Sequence, residues 1–441
     1  MPIPTIPPSF ATLLATFRSC FTAPTWRTFT AMAAGLLGQP GRATVTGMLT
    51  GARLAGVWHH TRAHRFFSAA RWSPDRLGLA VLEVIVTLLV DPAEPLLVVV
   101  DDSLFKRRGR KVYGSAMHYD PTATGRRRTA WGNNWVVIGV LVALPFLPHR
   151  RVCLPVGARL WRPRHPEATK QHLARTLLEQ LAGRYPQRVV HVICDGAFIG
   201  KTMRALPANV TITARLRADA ALYALPAPRQ PGQRGRPRRK GDRLPELIWL
   251  AGLVATPFKH AEVWCYAKPQ AIKLTVLRCL WYGVLGAQPV QVVMCRPPRW
   301  PDGYQLAVIT TDLDAGGVEV IERYALRWNV EVCLEEARQV CGVGQARNRT
   351  RRAVQRTVPF GLLCYSLLVV WYAQHGQPIG DVAAHRARAP WYRTKHAVST
   401  ADMLTAFRRA LLAAQLHASP QVAPSLEQLL GLQATWATPA P

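Results

Sequence analysis

Two aspartates follow tight, Val-rich apolar runs. Leu96–Val100 leads into Asp101 and Asp102, and Val189–Cys194 leads into Asp195. Runs of this length read as strands buried on both faces. The carboxyl end of such a strand is where open α/β sheets keep their chemistry. A third carboxylate, Glu331, lies in the stretch IERYALRWNVE. The spacing there predicts one long helix over Gly317–Val340. Two strand-end aspartates and a helix glutamate form a hard-oxygen donor set that suits a divalent cation. Mg²⁺ is bound by a few carboxylates, water and substrate phosphate oxygens. Two such ions about 3.5–4 Å apart can serve phosphodiester cleavage. In a chain with few acids, a carboxylate among apolar neighbours needs a cation. The plainer alternative is that nearby arginines supply it in ion pairs.

On a continuous helix, Tyr324, Arg327, Glu331, Glu335 and Arg338 recur every three or four residues and share one face. That face reads either as part of the site or as a solvated face held by pairs such as Arg327–Glu331. Glu331 and Glu335 sit four apart and repel, which counts against the second reading.

The charge balance points to a polyanionic partner. Lys and Arg total 56 against 25 Asp and Glu, a net charge of +31. Self-repulsion on that scale is relieved by nucleic acid. Basic runs follow the acids: Lys106–Lys111 (with Lys106 and Arg107), Arg126–Arg128, and Arg347, Arg349, Arg351 and Arg352. Each is expected to line a DNA channel, with a merely solvated face as the alternative. Arg234-Gly235-Arg236-Pro237 is framed like a minor-groove insert, with Arg234 and Arg236 as the reaching side chains. Its alternative is a solvated linker that meets phosphates without preference. Trp264, Trp281 and Trp300 read as sheet packing. His59, His60 and His64 lack Cys or acid neighbours and read as surface or phosphate contacts rather than metal ligands.

Around these residues the elements change along the chain. Residues 1–92 are expected to be a helical, Arg-threaded DNA-binding region, with a helix–break–helix around Gly35–Ala55. A plain helical bundle with a basic face is the alternative. An α/β core follows over 93–218, with strands at Leu96–Val100, Val136–Leu144, Val152–Leu160, Val189–Cys194 and Val210–Leu216 and a helix over His165–Arg184. Residues 219–303 read as a β-rich insertion with a basic linker. The core resumes over 304–345 with a strand at Tyr304–Thr311 and the helix bearing Glu331. Residues 346–441 are expected to be helical, with helices at Val358–Tyr372 and Thr400–Leu416.

Nine cysteines contain no C-x-x-C pair, which argues against a zinc ribbon and for buried free thiols in a reducing cytoplasm. The first residues lack a basic stretch ahead of an apolar one, so no signal peptide is expected. The longest apolar runs, Val136–Leu147 and Val358–Ala373, fall short of a membrane span, and no membrane partner is expected.

The run Tyr324-x-x-Arg327-Trp328-x-x-Glu331 resembles the signature of bacterial DDE-type insertion-sequence transposases. VDDS ahead of a K-R-x-G run, CDGAF, TITARLR and RGRPRRKGDR extend the resemblance from about Leu96 to Thr350. That family implies an RNase H-like core interrupted by a β-rich insertion. It implies Asp102, Asp195 and Glu331 as the catalytic, metal-binding triad, with Mg²⁺ as cofactor and Mn²⁺ able to substitute. Asp102 is preferred because the family pattern puts a small hydroxyl residue after the catalytic aspartate, and Ser103 fits; Asp101 stays open as the alternative. Tyr324, Arg327 and Arg338 correspond to residues that grip phosphates near the cut. The family has Lys where Arg338 stands, which keeps the charge but changes its geometry. The implied partners are the terminal inverted repeats, target DNA and a second copy of the chain. A DNA-binding protein that has lost cleavage, and an RNase H-like nuclease without strand transfer, are the competing readings.

Overall fold

The structure is a computed structural model that describes residues 4–120, 122–123, 128–163, 165, 169–229, 235–253 and 257–418. In chain order, five helices come first: α1 (Pro8–Ala15), α2 (Ala23–Gly38), α3 (Val45–Gly51), α4 (His60–Ser68) and α5 (Pro74–Leu89). Strands β1 (Leu96–Lys106), β2 (Ala116–Tyr119), β3 (Thr129–Leu144) and β4 (Leu147–Trp161) follow. Then come α6 (Lys170–Arg184), β5 (Val190–Cys194), β6 (Val210–Arg215), α7 (Leu247–Gly252), β7 (Lys259–Cys265), β8 (Lys268–Leu280), α8 (Tyr282–Leu285), β9 (Pro289–Arg296) and β10 (Leu306–Thr310). Helices α9 (Gly317–Ala325), α10 (Trp328–Gln339), α11 (Arg351–His375), α12 (Pro378–Arg388) and α13 (Thr400–His417) complete it. Parallel and antiparallel strand pairs are mixed, so the chain is α/β.

The chain divides into two compact units. One comprises Met1–Pro92, Asp102–Arg164 and Val332–Pro441; the other comprises Ala93–Asp101 and His165–Glu331. Both β1 and α10 are shared between them in sequence.

In the first unit, β3 and β4 form a long antiparallel hairpin that closes at Leu144↔Leu147, and β2 pairs with β3. α11 lies against β4 and α5, and the Ser366 hydroxyl donates to the Pro155 carbonyl at 2.7 Å. α11 is long and apolar enough to cross a membrane, but 89% of its apolar window is buried inside the protein, as in a core helix. The expected N-terminal helices are present. Thr44 and Ser73 cap α3 and α5 by accepting from Gly47 and Arg76 backbone N–H groups. α2 and α3 cross closely at Gly35, where a Cβ would lie 1.8 Å from the Met48 carbonyl oxygen. Residues 28–37 of α2 are all buried, so the middle of that helix offers no face to DNA.

In the second unit, β1 pairs in parallel with β5, and β5 in parallel with β6. β10 runs antiparallel to β6 and to β9, which continues antiparallel to β8 and then β7. The expected strands of residues 219–303 are present and antiparallel, and the β9–β10 ladder joins them to the sheet of β5, β6 and β10. Val320 and Ile321 of α9 pack over Val263, Cys265, Val293, Cys295 and Val308 on this part of the sheet.

Two further elements differ from the sequence reading. β1 runs five residues past Asp101, so its aspartates lie within a strand rather than at its end. The single long helix is two, α9 and α10, divided at Leu326–Arg327. There the Leu326 and Arg327 N–H groups reach back only three residues, to the Arg323 and Tyr324 carbonyls. The Asn329 side-chain amide takes the Leu326 carbonyl at 2.9 Å, offering that oxygen a partner outside the helical ladder.

Candidate active site

The site is built on the middle of β1 and the end of β5. Their parallel register runs from Leu96↔Val190 to Val100↔Cys194, so one step further it sets Asp101 beside Asp195. Side chains in register on neighbouring parallel strands point to the same face. Asp101 and Asp195 therefore face the same way, and Asp102 faces the other. The buried Cys194 thiol is pushed up first by its burial and then by the Asp195 and Asp101 charges, with Arg327 opposing. Asp195 opens a short 3₁₀ turn, Gly196–Phe198. Gly196 is required there, since a Cβ would lie 2.6 Å from the Arg215 carbonyl oxygen at the end of β6.

Arg327, in the turn between α9 and α10, joins two carboxylates. One nitrogen of its guanidinium (NH1) lies 3.0 Å from Asp101 Oδ2 and the other (NH2) 2.7 Å from Glu331 Oε1. The Asp101 and Arg327 side chains are only 16% and 19% exposed, so the pair is shielded from screening. Burial works against the Arg327 charge, but Asp101 and then Glu331 more than offset it and hold its pKa above the ordinary value. Tyr324 is half-buried beside the same groups. Burial raises its hydroxyl and the Asp195 charge adds to this, with Arg327 opposing. Asp101, Asp195, Tyr324, Arg327 and Glu331 thus form one constellation.

Asp102, the expected first carboxylate, lies on the other side of β1. Its Oδ2 accepts from the Asn134 amide at 2.8 Å. The physical reason is strand alternation, which a choice by the following residue type cannot register. Ser103 is buried on the Asp101 face, where its hydroxyl accepts from Arg338 at 3.0 Å. Arg338 also lies over the Phe105 ring, 5.8 Å from its centroid, and burial lowers its pKa.

The basic residues divide sharply. Arg107, expected on DNA, is instead an interior brace. Its guanidinium donates to Asn133 Oδ1 at 3.0 Å and to the Gly344 and Ala346 carbonyls at 2.7 and 2.8 Å. Lys106 is exposed, with its ammonium 2.7 Å from the buried Asp120 carboxylate. Arg108, Arg110, Lys111, Arg347, Arg349, Arg351 and Arg352 are exposed. Arg236 is exposed too, whereas Arg234, Arg126 and Arg127 lie outside the described residues. Trp281 is buried in packing, while Trp264 and Trp300 are exposed. His59, His60 and His64 are exposed at the start of α4, with the His60 ring tilted against His59 and edge-on to His64. All nine cysteines are buried free thiols, as expected.

Sequence reading missed two supports. Asn134 shares the interior with Asn133, and its only signal was an amide pair opening an apolar run. Arg323 is buried and donates to Asp312 at 2.8 Å and to Glu319, with His191 of β5 at 3.5 Å. It fastens α9 to the strand that leads into Asp195, one residue before Tyr324. Its signal was the Glu319–Arg323 spacing.

Among the described residues, no three His, Cys, Asp or Glu side chains gather as a ready-made metal cage. The donor chemistry still fits a divalent cation. Two aspartates on adjacent strands face the same way, and Mg²⁺ is commonly held by one or two protein carboxylates plus water and phosphate. Arg327 shows that a positive group is accommodated between Asp101 and Glu331.

Residues 16–282 match the family model described as DDE superfamily endonuclease. The chain belongs to that family. The match spans more than half of the sequence and includes Asp101, Asp102 and Asp195, so the expected DDE kinship is borne out. It stops short of Glu331, whose place in the site rests on the Arg327 bridge. Among solved structures, the chain is similar to piggyBac transposase in a synaptic complex with hairpin DNA. That match has 12% identity, covers 97% of this chain and 80% of the other, and has a TM-score of 0.42. Comparison with curated proteins finds no match.

Proposed function

We propose that this DDE endonuclease is a transposase of insertion-sequence type, which cuts DNA at the ends of its element and joins the freed ends to a target. The observation that carries the reading is the strand register that aligns Asp101 with Asp195, together with the Arg327 bridge to Glu331. Asp101, Asp195 and Glu331 would hold Mg²⁺, or Mn²⁺ in its place. Asp101 replaces Asp102 because it shares a face with Asp195. An RNase H-like core is supported by the parallel strands β1, β5 and β6. The partners would be terminal repeats and target DNA, with a second copy of the chain to bring two ends together.

A divalent cation bound there would lower the pKa of a water and neutralise charge building on phosphate oxygens. The chain's own groups supply the rest. Asp101 and Asp195 fix the face on which the scissile phosphate must lie. The Tyr324 phenol, which burial pushes further toward its protonated form, can donate to a phosphate oxygen. Arg327 offers a planar fork suited to two phosphate oxygens. The exposed arginines at 347, 349, 351 and 352 would neutralise the DNA backbone without reading sequence.

The test is cleavage by the full chain of a plasmid carrying the element ends, with Mg²⁺ or Mn²⁺. Cleavage should vanish in Asp195→Ala and Glu331→Ala, and its persistence in both would sink the reading. Binding without cleavage by the wild type would indicate a DNA-binding protein only. Cleavage without joined products would indicate a nuclease.

A further inference from the structure

We propose that Arg327 is a resident counter-cation that competes with the divalent metal for Asp101 and Glu331, and that DNA phosphate relieves the competition by drawing Arg327 away. The inference rests on the reading of these acids as a metal site. Its basis is the bridge itself. Two different guanidinium nitrogens engage two different carboxylates, at 3.0 and 2.7 Å. A guanidinium so placed neutralises the oxygens that a metal would need. It also gives the shielded Asp101 carboxylate a charged partner.

The backbone at Arg327 suits a side chain with two positions. It lies in the turn between α9 and α10, where the helical ladder is already interrupted. A change of its rotamer therefore breaks no helical turn. Phosphate is a strong alternative partner for the same planar fork. A phosphate that takes Arg327 exposes Asp101 and Glu331 to the metal, while the three acids keep their places on β1, just after β5 and on α10. Metal and DNA binding must then reinforce each other by the same factor in both directions. Free protein would bind metal weakly, and cleavage competence would assemble only on DNA.

The test is Mn²⁺ binding to the full chain, read by the electron paramagnetic resonance of free Mn²⁺ and by the metal-dependent rise in melting temperature. Arg327→Gln should bind Mn²⁺ about tenfold tighter than wild type, with Arg327→Lys between them. Adding Asp195→Asn to Arg327→Gln should cancel the gain, which assigns the binding to this site. A short DNA duplex at low salt should raise Mn²⁺ affinity in wild type and leave Arg327→Gln nearly unchanged. Equal or weaker Mn²⁺ binding by Arg327→Gln, or equal enhancement by DNA in both proteins, overturns the competition. If Arg327→Gln does not fold without metal, Arg327→Lys carries the same comparison. Asp195-dependent binding that ignores Arg327 would overturn the competition and leave the metal site standing. Binding indifferent to Asp195, or absent throughout, would overturn both.

Discussion

Asp101→Asn and Asp102→Asn are equal changes in chemistry, each removing one charge and almost no volume, yet they should behave oppositely. Asp101 lies beside Asp195 and 3.0 Å from Arg327. Its substitution removes a shielded charge-assisted contact, about 1.5–3 kcal/mol by general experience. Arg327 retains Glu331, so the net loss of stability should lie at the low end of that range. The catalytic loss should be larger. A carboxylate that helps hold the metal supports several kcal/mol of transition-state stabilisation. About 4 kcal/mol corresponds to roughly a thousandfold in rate. Asp102 instead faces Asn134, whose side-chain amide donates to it at 2.8 Å. An amide oxygen can accept the same bond, so its substitution should cost about 1 kcal/mol or less and change the rate by less than about tenfold. The assay is the initial rate of plasmid cleavage in Mg²⁺ for both variants, with urea unfolding as the control for stability. A dead Asp102→Asn beside an active Asp101→Asn would refute the argument from register. Equal losses would mean that the two faces of β1 do not divide as the ladder implies.

Arg107→Ala should destabilise the protein by about 3–4 kcal/mol, since it leaves Asn133 and two carbonyls without their shared donor. The salt dependence of DNA binding should keep its slope, whereas a phosphate contact would reduce it by about 1. Lys106→Met tests the Asp120 pair through pH. Hydrogen bonds from Lys106 and then Thr122 hold the Asp120 carboxyl below its ordinary value. Its contribution is therefore complete above the unfolded carboxylate range, about 3.9, and disappears as pH falls through the lower folded value. The stability gap between wild type and Lys106→Met should be present at neutral pH and close in acid. A gap that stays constant in chemical denaturation down the acid limb would count against the pair. Gly196→Ala should cost about 1–3 kcal/mol from the close approach to Arg215. It should slow cleavage more than that loss of stability explains, because Asp195 is the preceding residue. Normal cleavage in a stable variant would show that the turn does not position Asp195.

Local patterns in the sequence were enough for the elements and for the family. Val-rich runs marked β1 and β5 because strands buried on both faces must be continuously apolar. The scarcity of acids made Asp195 and Glu331 stand out, and the spacing of Arg327 and Glu331 anticipated their contact. Only the tertiary structure decided which of Asp101 and Asp102 faces Asp195. Adjacent residues on a strand differ by face, and the face is set by the partner strand's register, which lies some 90 residues away in the chain. The same limit hid the role of Arg107. A guanidinium written into a basic run looks like a phosphate ligand until the carbonyls of Gly344 and Ala346 are brought to it. It also hid the division of α9 from α10, because apolar periodicity persists across a turn that side-chain competition for one carbonyl opens. Composition and spacing are properties of neighbours in sequence, and the site depends on neighbours in space.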